Sequence, residues 1–364
     1  MRIKRIELNN FRNYTKADID FHEKVNLILG ENAQGKTNLL ESIYLSSVGK
    51  SFRTARDKNL IKFSEDFCRI KTEYVRGEDE GTVEIAISKE GKKAAKLDGV
   101  MIERSSQLLD NIYTVVFSPE DLKVVKDDPE KRRSFMDREL CQLHTSYNND
   151  LYVFKRVLAQ RNALLKENMP DKKELAVWDE NLAECGAGII TARENFIEEI
   201  NILSRRIHEG ITAGRENIEI IYDANIPAAS GKSEQKEQIV RLLSENAEND
   251  IYNGNTGRGP HKDDLKILID GKNVRQFGSQ GQQRTAALSL KLAEIGLIRR
   301  EKNEDPILLL DDVLSELDEN RQKYLIDSLG KSQLFLTAAS LPEGITAELP
   351  QGKIMKIKNG SVME

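Results

Sequence analysis

The 364-residue sequence predicts an α/β chain: a phosphate-loop sheet core with an antiparallel β subdomain, plus a helical lobe inserted between its two halves. Three observations predict it. The stretch "GENAQGKT" at 30–37 fits GxxxxGK[ST] and lies between an apolar strand-like run and a helix-like one. A second apolar run, "PILLLDD" at 306–312, ends in paired carboxylates. Most of the chain lies between the two, and its middle carries helical rather than strand periodicity.

The elements follow in order. Ile3, Ile6 and Leu8 mark a first strand, and "VNLIL" at 25–29 a buried one that leads into the glycine-rich loop. "NLLESIYLS" after the loop reads as a helix. "TVEIAIS" at 82–88 alternates cleanly, and "AKLDGVMIE" is a hairpin turning at Asp98-Gly99. Tyr147, Leu151, Phe154, Leu158 and Leu165 share one helical face. After Pro170 a second stripe runs through Leu175, Trp178, Leu182, Cys185, Ile189, Ala192 and Phe196. Together they predict an antiparallel helical hairpin with arms of about 25–35 residues, roughly 40–50 Å each. "NIPAASGKSEQKEQ" at 225–238 reads as a loop, and "KILIDGKNV" at 266–274 as another hairpin, turning at Asp270-Gly271. The expected division is 1–135 and 216–364 for the two parts of the core, with 136–215 as the helical lobe.

Composition narrows the function. Net charge is −5 with 32% charged residues, so a nucleic-acid surface must be a local patch. Arg53 and Arg56 in "KSFRTARDK", and Arg132 and Arg133 in "KRRS", are the candidate DNA contacts; the alternative for each is a solvated face. No apolar stretch approaches the ~20 residues that span a bilayer, and the N-terminus lacks an apolar signal region, so a cytoplasmic protein without a membrane partner is expected. Cys68, Cys141 and Cys185 are scattered and odd in number, which offers neither a disulfide framework nor a CxxC site. His22, His144, His208 and His261 lack metal-ligand spacing.

The chemistry therefore rests on phosphate. Gly30, Glu31, Asn32, Ala33, Gln34 and Gly35 form the loop whose backbone wraps a nucleotide's phosphates. Lys36, expected on an exposed loop, reaches the β and γ oxygens, and Thr37 ligates Mg²⁺. Asp311 is the expected second magnesium partner, and Asp312 is placed to orient an attacking water. Lys36 and Asp312 are thus the candidate catalytic residues. Adjacent carboxylates after a strand could also be a helix cap, a reading that the phosphate loop outweighs. "FGSQGQQRT" at 277–285 precedes the second carboxylate motif and offers a helix N-terminus with a hydroxyl and side-chain amides. "SELD" at 315–318 follows it.

This arrangement resembles the ATPase head of the ABC/SMC class. "LNNFRNY" at 8–14, "SFRT" at 51–54, "FSPEDL" at 117–122, "PEKRRSFMD" at 129–137 and "GPHKDDL" at 259–265 resemble, over essentially the whole chain, the RecF family of bacterial recombination mediators. The resemblance implies ATP and Mg²⁺ as cofactors, with Ser279, Gly281 and Gln282 as the signature that closes on ATP held by a second subunit. It further implies an ATP-dependent homodimer, binding to double-stranded DNA and to single-strand/double-strand junctions, partnership with RecR and RecO, and loading of the recombinase RecA at gaps in recombinational repair and replication restart. The sequence departs from the wider class at several points. Gly278 and Gln280 interrupt the usual signature, no Q-loop glutamine is evident, Thr337 stands at the switch-histidine position, and Asp312 replaces a more usual glutamate. Slow, DNA-stimulated hydrolysis is therefore expected. The rival readings are a transporter-type nucleotide-binding domain, which would keep the Q-loop and switch histidine, and a non-hydrolysing DNA scaffold, which intact Lys36, Thr37 and Asp311 oppose.

Overall fold

Ile6 and Leu8 alternate with more exposed neighbours, and a register shift between Ile3 and Arg5 lets Ile3 be buried as well, which sets the first strand, β1 (Arg2–Phe11); it turns through Arg12 and Asn13 into β2 (Tyr14–Asp20). The computed structural model describes residues 1–340 and 351–363. β3 (Val25–Leu29) runs into the glycine-rich loop, from which α1 (Lys36–Val48) emerges. β4 (Phe67–Arg76), β5 (Asp79–Ser88), β6 (Lys93–Leu97) and β7 (Val100–Ile102) complete an antiparallel sheet in the order β2-β1-β4-β5-β6-β7. Asp98 and Gly99, at φ 49° and 79°, make the predicted two-residue turn between β6 and β7. β8 (Thr114–Phe117) belongs to a different sheet.

The chain then forms α2 (Leu122–Lys126), α3 (Pro129–Leu143), α4 (Thr145–Leu164) and α5 (Lys172–Thr212), followed by β9 (Ile218–Asp223), α6 (Lys232–Glu245) and α7 (Ala247–Asn253). β10 (Asp264–Ile269) pairs with β9 on one side and with β11 (Lys272–Asn273) on the other in a three-stranded sheet, and α8 (Val274–Phe277) leads into α9 (Gln280–Lys302). β12 (Ile307–Asp311), α10 (Glu319–Ser328), β13 (Leu334–Ala338), β14 (Gly352–Lys358) and β15 (Ser361–Met363) follow. The second large sheet has the order β15-β14-β3-β13-β12-β8; its strands are parallel except for β15 at the edge.

These elements divide into two compact units, Met1–Asp121 with Glu294–Glu364, and Leu122–Ala293. In the first, α1 lies against both six-stranded sheets and is buried from Leu39 to Ser47, so its apolar side chains pack on both layers and its polar ones must find partners there. Leu39, Ile43 and Leu45 share one core with Ile6, Leu8 and Ile70 of the antiparallel sheet and Ile28, Leu309 and Phe335 of the parallel one. Its buried hydroxyls are matched on each side: Ser46 with Thr72 of β4 at 2.7 Å and Ser47 with Thr114 of β8 at 2.8 Å. The helix that begins at the phosphate loop is therefore held rigidly.

Three expectations change. The inserted unit is wider than a 136–215 lobe, because it also takes in the β9–β11 sheet, α6, α7, α8 and the start of α9. The helical arms are unequal, 20 residues in α4 and 41 in α5. The expected loop at 225–238 becomes helical at Lys232, where Gln235, Ile239 and Leu243 bury one i, i+4, i+8 stripe. Its first turn contains only polar residues, so the apolar period starts too late to reveal the helix's beginning.

Candidate nucleotide-binding site

The glycine-rich loop leaves β3 and closes on the first turn of α1. Gly35 sits at φ 119°, and a Cβ there would fall 2.7 Å from the Asn13 side chain, so only glycine fits. Lys36 is 4% exposed, not on an exposed loop as expected. Its ammonium donates to the carbonyls of Gly30 at 2.7 Å and Glu31 at 3.2 Å. Among the described residues no carboxylate pairs with it. A buried cation held only by neutral carbonyls at a helix N-terminus has its charge uncompensated, which fits an anionic phosphate. Glu31, Asn32 and Ala33 are exposed along the loop, and Gln34 is half-buried.

The partner carboxylate arrives through sheet order. β13 lies between β3 and β12, and Asp311 at the end of β12 stands in register with Thr337 of β13. Asp311 Oδ1 accepts from the Thr37 hydroxyl at 2.8 Å and from the Thr337 hydroxyl at 2.9 Å. Burial pushes the Asp311 carboxyl above its ordinary value, a rise that the two hydroxyl bonds oppose and neighbouring Asp312 reinforces. Asp312 takes a left-handed backbone conformation at φ 53°, with its N–H donated to the Thr337 hydroxyl at 3.0 Å. Thr337 thus links both carboxylate residues of the motif. The oxygen donors of Thr37 and Asp311 suit a hard cation such as Mg²⁺, which would be held by the Thr37 hydroxyl with Asp311 behind it and would neutralise phosphate charge.

In the other unit, α9 begins at the signature. Ser279 and Gln282 form a reciprocal cap: the Gln282 N–H donates to Ser279 Oγ at 3.2 Å, and the Ser279 N–H donates to Gln282 Oε1 at 2.9 Å. Gln282 Nε2 also donates to Glu216 at 3.1 Å. Ser279 is exposed and Gly281 half-buried. The polar composition of "SQGQ" is therefore the cap that starts the helix. Glu216, which orients Gln282, carried no sequence signal.

The candidate DNA arginines separate. Arg56 is exposed. Arg53 is exposed but donates to Asn38 at 2.9 Å and lies 3.6 Å from the buried Glu41 of α1, beside the phosphate loop. Arg133 donates to the Asp263 carbonyl at 2.6 Å. Arg132 is corrected outright: it is 3% exposed and holds both oxygens of Asp264, at 2.6 and 3.0 Å. Its charge is matched internally and it presents no surface to a phosphate backbone. Sequence patterning missed this because Asp264 is far away in the chain. The stretches "PEKRRSFMD" and "GPHKDDL" meet here, and Arg193 ties them further by donating to Asp137 and Asp263 at 2.8 and 2.9 Å.

A strand, a glycine-rich loop and a buried lysine at the head of a helix, facing a carboxylate on a nearby parallel strand, define the first unit as a P-loop ATPase head of the ABC/SMC class. A solved SMC head bound to the C-winged helix domain of ScpA shares this fold at TM-score 0.56 and 18% identity, covering 100% of this chain and 96% of that one. The family model described as RecF/RecN/SMC N terminal domain matches residues 2–348. Two proteins named DNA replication and repair protein RecF are similar: one from Alkaliphilus oremlandii, 44% identical over 94% of each chain, and one from Lachnospira eligens, 42% identical over 100% of this chain and 99% of that one. A solved structure of the recombination mediator protein RecF with ATP, in the RecFOR pathway, matches at TM-score 0.92 and 37% identity, covering 100% of this chain and 97% of that one. The chain belongs to the RecF family. Among the described residues no helix is long and apolar enough to cross a membrane.

Proposed function

We propose that this chain is an ATP-gated DNA clamp acting in recombinational repair and replication restart. The observation that carries the reading is the Thr37–Asp311 contact of 2.8 Å beside the buried, uncompensated Lys36. In this reading the loop from Gly30 to Thr37 binds the phosphates of ATP, Lys36 balances their charge, and Thr37 and Asp311 hold the accompanying Mg²⁺. Asp312 orients the attacking water. Ser279, Gly281 and Gln282 of a second copy close the site, so ATP drives homodimerisation. Ser279 Oγ accepts the Gln282 N–H, which leaves its own proton to be donated to a phosphate oxygen.

Hydrolysis is slow and stimulated by DNA, because Asp312 is a short carboxylate and Thr337 replaces a histidine that could bear a proton. ATP then times the grip more than it powers a stroke. The dimer binds double-stranded DNA and single-strand/double-strand junctions through local basic surface, with Arg56 and Arg133 as candidates and Arg53 shared with the nucleotide pocket. Partnership with RecR and RecO, and RecA loading at gaps, rest on family membership and on the RecFOR pathway named for the ATP-bound relative.

Complementation tests the reading. Lys36→Met spoils only the phosphate-loop half of a composite site, and Ser279→Arg only the signature half. Each variant alone should lack turnover and ATP-driven dimerisation. Mixing them regenerates one intact site per heterodimer, so nucleotide-dependent heterodimers and part of the turnover should return. Mixing Lys36→Met with the double variant should return neither. If the two inactive proteins mixed together behave like each alone, the signature does not act across subunits.

A further inference from the structure

Gln34 of the phosphate loop is gripped from two sides by turns far apart in the chain. Its carbonyl accepts the Asn13 side-chain amide at 2.8 Å, from the turn between β1 and β2. The same carbonyl accepts the Gly360 N–H at 3.0 Å, from the turn between β14 and β15. Its side-chain oxygen accepts the Asn359 N–H at 2.6 Å. Asn13 also receives the Asn38 amide at 2.9 Å, which ties it to the first turn of α1, and the next loop carbonyl, Gly35, accepts the Tyr14 hydroxyl at 3.0 Å.

We propose that the Asn359–Gly360 turn, with Asn13 as the opposing jaw, is a positioning clamp that fixes the phosphate loop in its ATP-binding form. This rests on the nucleotide-site reading above and assigns a role to "LNNFRNY" and to the C-terminal hairpin, which lies beyond the residues the family model matches. The physical argument is preorganisation. A phosphate loop binds through N–H groups that must all point inward, and any freedom they have before binding is lost on binding. Parallel pairing of β14 with β3, Lys356 beside Leu29, carries the hairpin up to the loop. The turn is built for close approach: Asn359 and Gly360 have φ of 49° and 70°, and a Cβ on Gly360 would fall 2.4 Å from the Asn13 carbonyl oxygen. Gly360 is therefore the residue through which the two jaws meet, and a side chain there must move the turn away from Gln34. The clamp touches no reacting atom, so it acts on nucleotide affinity through the loop.

The test uses the full chain, a fluorescent ATP analogue for affinity, turnover against ATP concentration, and melting without nucleotide. Gly360→Ala should raise Kd by about tenfold, the effect of losing roughly one well-formed hydrogen bond. KM should rise with it, while turnover at saturating ATP stays within about twofold. Gln34→Ala, which removes the acceptor for Asn359 without disturbing the turn, should weaken affinity in the same direction. Asn359→Gly keeps both the N–H and the left-handed backbone and should bind as the wild type does. Unchanged affinity in Gly360→Ala overturns the proposal. So does a loss confined to Gly360→Ala that tracks a lower melting temperature without nucleotide. If the wild-type chain itself retains no ATP, it is the nucleotide-site reading that has failed.

Discussion

Replacing Asp311 with asparagine should make the nucleotide-free protein more stable and less active. Asp311 is 8% exposed, and its carboxylate accepts two hydroxyl bonds through the same Oδ1. Asparagine keeps that oxygen and removes the charge. Each bond to a neutral acceptor is weaker by about 1 kcal/mol than to an ion, whereas burying the ion costs several kcal/mol. The upward push on the Asp311 carboxyl says that desolvation wins. The net gain is about 1 kcal/mol, or about 2–4 °C in the melting of a unit of this size. The sign with pH follows. A raised native pKa means that the folded state keeps its proton where the unfolded chain has lost it, so the wild type gains stability as pH falls toward the ordinary carboxyl value of about 3.9. The difference between the two proteins is therefore widest near neutrality and closes on acidification. Magnesium-dependent turnover should drop about 10- to 100-fold. The assay is scanning calorimetry in chelator across pH, with ATP turnover alongside. A variant that melts lower than wild type at neutral pH, or a gap that widens in acid, would refute the reasoning.

Glu41→Gln acts in the opposite direction. Glu41 is fully buried and takes both arms of Arg12, at 2.8 and 2.7 Å, so its neutralisation should cost about 3 kcal/mol in urea unfolding. Gln282→Ala removes one half of the reciprocal cap on α9 and should cost about 1 kcal/mol, seen as faster amide exchange in that helix's first turn. His261 is pushed down to about 4 by burial, so the unfolded chain takes up a proton that the folded chain refuses. Stability should fall by about 3 kcal/mol between roughly pH 6.5 and 4, and His261→Gln should flatten that slope in the urea midpoint.

The features that the sequence revealed are those encoded by short spacing. "GENAQGKT" names its own strand, loop and helix, because the motif needs glycine where φ is positive and lysine where the helix starts. Asp98-Gly99 and Asp270-Gly271 announce their turns for the same local reason, and the paired helical stripes from Tyr147 to Phe196 announce α4 and α5. The family was visible too, since its motifs are contiguous. What the tertiary structure decided is partnership across the chain. The motifs pointed to Thr37 and Asp311 as joint metal partners, but the direct contact between them, the burial of Lys36 and the link that Thr337 makes from Asp311 to Asp312 belong to the strand order β3-β13-β12, which no local pattern specifies. Arg132 looked like a surface cation and is the buried mate of Asp264, while Gln34, expected in the sequence only as one of the loop residues around the phosphates, is held by turns from both ends of the chain. Periodicity reports which face of an element is apolar. It carries no information on which polar side chain will share that buried space, and there desolvation makes the choice of partner decisive.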